Sequence, residues 1–132
     1  MEFIQEFKKD DWTKRLSKAQ YLRQNHPDRI LVIVDRVDTK TPKLKENRFL
    51  VPKEMTRTEK GEKLTEPTSV GHLLHILRRY VPSLSPDKAL FLSICGKNIL
   101  PPIQSSLSQI YAEHQERDGF LYMTVMIEST FG

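Results

Sequence analysis

With 132 residues and one cysteine, the chain has room for a single core and no internal disulfide. Its 38% hydrophobic and 29% charged composition is that of a globular domain, and no apolar run approaches the roughly 20 residues that a membrane helix needs. The net charge of +4 is spread over segments that also carry acids, and no aromatic residues interleave with a basic cluster, which argues against nucleic acid as a partner. Residues 1–9 alternate apolar and charged types without the apolar stretch of a signal peptide, and no Asn-x-Ser/Thr acceptor occurs. With the lone cysteine, these absences point to a reducing, cytosolic setting.

In chain order, Phe3 and Phe7 stand one helical turn apart. Trp12, Leu16, Ala19 and Leu22 then fall at helical spacing, after the capping candidates Asp10 and Asp11 and before the stop at His26-Pro27. Residues 29–37 are almost continuously branched and apolar, which predicts a strand buried on both faces. A second strand, 48–52, ends in Pro52, which lacks a ladder donor and belongs at a sheet edge. Residues 56–67 are nearly all charged or small and read as a solvated loop.

Ser69 or Thr68 caps the next helix, which carries Val70, Leu73, Leu74, Ile76 and Leu77 and ends near Val81-Pro82. Residues 89–95 form a third strand. After Pro101-Pro102, the spacing of Leu107, Ile110, Tyr111 and His114 predicts a short helix. The Asp118-Gly119 turn opens a last strand, 120–127, beyond which the apolar pattern fades into a projecting tail that ends at Gly132.

The motifs of common chemistry are absent: there is no phosphate-binding glycine loop, no Cys-x-x-Cys, no His-Glu-x-x-His and no Gly-x-Ser-x-Gly. His72 and His75 share a helix face, but no carboxylate or thiol stands near in sequence to complete a metal site. Cys95, bracketed by apolar strand residues, reads as an inert thiol. No enzymatic activity and no cofactor are expected. The informative features are surfaces, above all an edge strand of bulky apolar residues with a basic residue at its start. Such a strand suits capture of an extended peptide by strand addition, and it equally suits simple packing on the core.

Taken together, Arg48-Phe49-Leu50-Val51-Pro52, Ser69-Val70-Gly71, Asp87-Lys88-Ala89-Leu90-Phe91, Leu100-Pro101-Pro102 and Ile110-Tyr111-x-Glu113-His114-x-x-x-Asp118-Gly119-Phe120-Leu121-Tyr122, with Thr130-Phe131-Gly132 at the end, resemble one family. It is the autophagy ubiquitin-like modifiers, the group of microtubule-associated light chain and GABA-receptor-associated protein. The resemblance runs from about residue 12 to 132. It implies an α+β fold, a ubiquitin-like β-grasp: a four-stranded mixed sheet with helices packed on one face and two added N-terminal helices. Residues 1–28 would then be a helical arm and 29–132 the grasp domain, with a charged insertion at about 57–68 and a conjugation tail at about 128–132.

By the same resemblance, Gly132 is exposed by a processing cysteine protease where the nascent chain is longer. It is carried by activating and conjugating enzymes, and it is joined to the amine of phosphatidylethanolamine on the autophagosome membrane. The unconjugated protein is cytoplasmic. Receptors and adaptors with short aromatic-x-x-aliphatic motifs would dock in two pockets. Leu22, Leu31, Ile33, Arg48, Leu50 and Phe120 line the first; Phe49, Val51, Pro52, Met55, Leu73 and Ile76 line the second. Arg29, Arg48 and Arg78 would meet acidic residues beside the motif. The alternative is a soluble, unconjugated peptide-binding adaptor or cytoskeletal binder.

The chain departs from the family pattern at several points. Leu31 stands where a proline is usual, Lys18 where an acid is common, and Ser93 where the second of two strand phenylalanines is expected. The charged insertion lies beside the second pocket and is expected to change partner selection.

Overall fold

The computed structural model describes residues 1–129. Its elements, in order, are α1 (Glu2–Phe7), α2 (Trp12–Asn25), β1 (Arg29–Arg36), β2 (Arg48–Pro52), β3 (Glu54–Glu59), β4 (Glu62–Pro67), α3 (Val70–Leu77) with a 3-10 turn at Arg78–Tyr80, β5 (Lys88–Ile94), α4 (Leu107–His114) and β6 (Leu121–Ser129). Four strands form one mixed sheet in the order β2-β1-β6-β5, with β1 and β6 parallel and the outer pairs antiparallel. This is the α+β arrangement expected of a ubiquitin-like fold.

Alternation along β1 explains why its apolar run is continuous. Ile30, Val32 and Val34 join Leu121, Met123 and Val125 of β6 on one face, against Val70, Leu73 and Leu77 of α3 and Leu107 and Ile110 of α4. Leu31 and Ile33 point the other way and, with Phe120 and Tyr122, meet Ile4 and Ala19 of the N-terminal helices. The two helix sets therefore cover opposite faces of the sheet.

Helix ends follow their sequence signals in part. Ser69 caps α3: its hydroxyl accepts the His72 N–H at 3.2 Å, while the His72 Nδ1 accepts the Ser69 N–H at 2.9 Å. That reciprocal pair occupies one of the two histidines singled out as metal candidates. Asp11 stands at the start of α2 but makes no side-chain cap; its carboxylate accepts the Thr13 hydroxyl at 2.6 Å instead.

Residues 56–67 are not the loop expected. They belong to an antiparallel hairpin, β3–β4, registered from Glu54 opposite Pro67 to Glu59 opposite Glu62. Its core contribution is slight, as the composition requires, but Lys60 and Gly61 sit at φ 52° and φ 80°. Two consecutive positive values are those of the tight turn that joins twisted strands. Thr56 faces Thr65 across the hairpin. The hairpin's ends are held together by the Thr68 N–H donating to the Lys53 carbonyl at 3.0 Å and by the Thr68 hydroxyl donating to the Pro52 carbonyl at 2.6 Å.

A second difference concerns the end of the chain. β6 continues past Ile127, with Glu128 opposite Ala89 and Ser129 opposite Lys88. Pairing with β5 supplies the order that the fading apolar pattern did not predict, so the projecting tail cannot begin at 128. Gly132 lies outside the described residues.

The turn before β6 ties the N-terminal helices to the body. Asp118 is 2% exposed. One of its oxygens accepts the Phe120 N–H at 3.0 Å; the other accepts the Arg15 Nε at 2.8 Å and the Tyr122 hydroxyl. Arg15 also donates to the Lys8 carbonyl, and Lys8 pairs with Glu116 at 2.8 Å. Burial, the largest influence, works against the Arg15 charge, but the bond to Asp118 and the charge interactions with Tyr122 and Asp118 together hold the guanidinium pKa above its ordinary value. Burial first, and then the bond to Asp118, push the Tyr122 hydroxyl pKa up. Gly119, at φ +89°, lets the turn press against α2: a Cβ there would stand 2.9 Å from that of Ala19.

Candidate functional site: a groove beside an edge strand

β2 is an edge strand, as its terminal proline suggested. The Asn47 carbonyl accepts the Val34 N–H and the Lys53 N–H donates to the Asp28 carbonyl, both with β1 or its flank. Because bonded residues alternate along an antiparallel strand, Phe49 and Val51 face β1, while the backbone of Arg48, Leu50 and Pro52 faces outward. Proline at an outward position costs the sheet no ladder bond.

A cavity of about 450 Å³ lies where this strand, β1 and α2 meet. All six residues assigned to the first pocket line it: Leu22 from α2, Leu31 and Ile33 from β1, Arg48 and Leu50 from β2, and Phe120 from the turn before β6. Phe7, Lys18, Tyr21 and Glu46 line it too. Phe7 packs edge-on against Phe120 with ring centroids 5.4 Å apart, so α1 forms part of the wall. A cavity with apolar walls and a few charges at its mouth suits an aromatic or aliphatic anchor bearing polar neighbours.

Among the described residues, the six assigned to the second pocket line no common cavity, and Phe49 lines the first one. Val51 and Leu73 are buried in the core, at 2% and 0% exposure. Phe49 is half-buried against Tyr80, ring centroids 5.2 Å apart. Surface remains on Phe49, Pro52, Ile76 and Met55, the last opposite Glu66 in the hairpin. Glu66 also lies 3.5 Å from His72 Nε2, which links the hairpin to the start of α3.

The three arginines separate. Arg48 is 69% exposed at the groove, 4.0 Å from Glu46. Arg29 donates to the Leu50 carbonyl at 3.2 Å. Arg78 instead donates to the Lys88 carbonyl on β5, the opposite edge of the sheet from β2. Lys18 Nζ lies 3.5 Å from Asp10 and 5.8 Å from the Phe7 ring centroid.

Glu46 was missed in the sequence because it precedes the strand and looks like any loop acid. Its Oε1 accepts the Asn47 N–H at 2.9 Å and the Arg48 N–H at 3.0 Å, bonds that hold its pKa below the usual carboxylate range, with Arg48 the larger cause. Cys95 is half-buried, with its Sγ 3.7 Å from the Met1 Sδ, and burial pushes its thiol pKa up. A thiol in that state is a poor nucleophile. Ser93, at the departure noted in the third strand, bonds Thr124 across β5 and β6 at 2.7 Å.

The arrangement has known counterparts. The family model described as "Autophagy protein Atg8 ubiquitin like" matches residues 14–132. Autophagy-related protein 8d of Arabidopsis thaliana is 39% identical over 120 residues, covering 90% of this chain and 87% of that protein. Autophagy-related protein 8 of Schizosaccharomyces pombe is 38% identical over 127 residues, covering 94% and 92%. Among solved structures, the crystal structure of Trypanosoma brucei ATG8 matches with a TM-score of 0.73 at 30% identity, covering 92% of each chain. The chain therefore belongs to the Atg8 family of ubiquitin-like autophagy proteins.

Proposed function

We propose that this protein is a ubiquitin-like modifier joined through Gly132 to phosphatidylethanolamine, and that it recruits cargo receptors through the groove beside β2. The observation that carries the docking half is the convergence of Leu22, Leu31, Ile33, Arg48, Leu50 and Phe120 on one cavity next to a sheet edge. A peptide that adds to this edge gains register from backbone bonds and selectivity from the anchor it places in the cavity. Arg29, which bonds the Leu50 carbonyl, stands along β2 for an acidic neighbour of the motif, while Arg48 stands at the cavity beside Glu46 and Arg78 is bonded to β5 at the far edge.

In the conjugation half the protein is the substrate of other enzymes, not a catalyst. An activating enzyme adenylates the glycine carboxylate at the expense of ATP and takes it as a thioester. A conjugating enzyme receives it by thiol exchange, and the lipid amine displaces the thiolate to form an amide. The unmodified chain is cytoplasmic in this reading and reaches the autophagosome membrane by conjugation; no described helix is long and apolar enough to cross a membrane.

Leu50→Ala is expected to weaken binding of an aromatic-x-x-aliphatic peptide about tenfold in calorimetric titration, the loss of roughly 1.4 kcal/mol of apolar contact. An unchanged affinity would remove the groove from the function. The hairpin at residues 54–67 reaches the start of α3 through Glu66 and His72. Replacing it with two glycines is expected to leave the thermal midpoint within a few degrees of wild type, because its ends already meet through Lys53 and Thr68. The order of affinities across a panel of motif peptides should change. A preserved order, or an unfolded variant, contradicts the role given to the hairpin.

A further inference from the structure

The outward backbone of β2 is only partly free to receive a partner. Arg48, Leu50 and Pro52 face out, and three of their polar groups are already taken from within the chain. The Arg48 N–H is held by Glu46 at 3.0 Å, the Leu50 carbonyl by Arg29 at 3.2 Å, and the Pro52 carbonyl by the Thr68 hydroxyl at 2.6 Å. The Leu50 N–H and the Arg48 carbonyl have no such side-chain cap among the described residues. Covering an exposed strand edge with charged side chains prevents indiscriminate pairing. Here it also means that a strand-adding ligand can pair with the Leu50 N–H and the Arg48 carbonyl at once, but must displace Glu46 or Arg29 to extend the ladder beyond them.

We propose that Glu46 gates this docking edge and sets its charge preference: it admits a peptide carrying a basic residue beside the anchor of the first pocket and disfavours one carrying an acid there. The inference rests on the docking reading given above and narrows it: Glu46 sets the preference at the flank beside the first-pocket anchor, and Arg29, bonded to the Leu50 carbonyl, is left to meet an acid further along the strand.

Glu46 is the cap that reaches both the edge and the cavity: it lines the pocket and holds the first outward N–H of the strand. When a peptide carbonyl takes the Arg48 N–H, the carboxylate keeps the Asn47 N–H but loses its second donor. Arg48 compensates weakly, because its Nε is 4.0 Å away and its side chain is 69% exposed, where water screens the pair. Lys18, the other cation lining the cavity, lies 3.5 Å from Asp10. A Lys or Arg of the incoming peptide supplies the missing partner. An Asp or Glu in its place meets a carboxylate at close range, and like charges there disfavour the pairing.

The test uses the full chain and three synthetic peptides with one aromatic-x-x-aliphatic core, flanked beside the aromatic residue by Lys-Lys, Ser-Ser or Asp-Asp. Affinities are measured by fluorescence anisotropy in low and high salt. Wild type is expected to bind the Lys-flanked peptide about fivefold tighter than the Asp-flanked one at low salt, with the ratio falling as salt rises. Glu46→Gln keeps an amide oxygen for the Arg48 N–H. It should therefore bind the Ser-flanked peptide as wild type does, while the Lys-to-Asp preference disappears. Glu46→Ala removes cap and charge together, and should bind the Ser-flanked peptide about fivefold tighter than wild type. An Asp preference in wild type, a ratio unmoved by Glu46→Gln, or no gain with Glu46→Ala overturns the proposal. Failure of all three peptides to bind wild type and both variants overturns the docking reading and the gate with it.

Discussion

Asp118→Ala is expected to lower the stability of the domain by about 3–5 kcal/mol, the range found when one partner of a buried ion pair is removed. The carboxylate is 2% exposed and meets three donors at once: Arg15 from α2, the backbone of Phe120 and the hydroxyl of Tyr122. Truncation leaves the guanidinium, whose side chain is 13% exposed, without its carboxylate, and strands two further donors in the interior. Asp118→Asn keeps the size and one good acceptor, so its loss should be smaller, about 1–3 kcal/mol. Urea unfolding checks both, provided the slope of the transition is unchanged, since a changed slope signals an altered denatured state. An Asp118→Ala midpoint equal to that of wild type would remove this network from the account of how the N-terminal helices are held.

The consequence extends to the groove. Phe120 lines the cavity and sits two residues after Asp118, and Phe7 of α1 packs on it. The network that fixes the helices therefore also fixes the inner wall of the cavity. A variant that loosens it should lose peptide affinity as well as stability.

Much of this was legible in the chain because the relevant signals are local. The branched run of β1 required burial on both faces, and the terminal proline of β2 required an edge; the sheet order satisfies both. The hairpin escaped because its residues carry almost no apolar pattern. Its signal was the Lys60-Gly61 turn between threonine-bearing segments, whose strands pair with each other instead of burying a face. Similarly, the extension of β6 to Ser129 depends on β5, a partner that local patterning does not reveal.

The site divides in the same way. The six residues of the first pocket meet on one cavity. Of those assigned to the second, Val51 and Leu73 are core residues, because alternation along β2 turns Val51 inward and α3 lays Leu73 on the sheet. Arg78 is drawn to β5 by a backbone carbonyl that no spacing rule anticipates. Glu46 acquires its place only through a three-dimensional relation, that of a loop carboxylate folded back on the first outward N–H of the edge strand.

The largest expected effect belongs to the last residue. In the proposed conjugation, Gly132 offers an acyl carbon with no Cβ beside it, which leaves the carbonyl open to a thiolate or an amine. An alanine narrows that access at the reacting centre, where a small misplacement costs orders of magnitude in rate. The direct measurement is intact mass after incubation with the family's activating and conjugating enzymes, ATP and vesicles containing phosphatidylethanolamine. Wild type is expected to gain the mass of one lipid less one water, and Gly132→Ala to gain none while keeping the wild-type thermal midpoint and peptide affinity. A wild-type chain that stays unmodified where a relative reacts fully, or a Gly132→Ala chain that is conjugated as well as wild type, would contradict the proposal that this protein is a lipid-conjugated modifier.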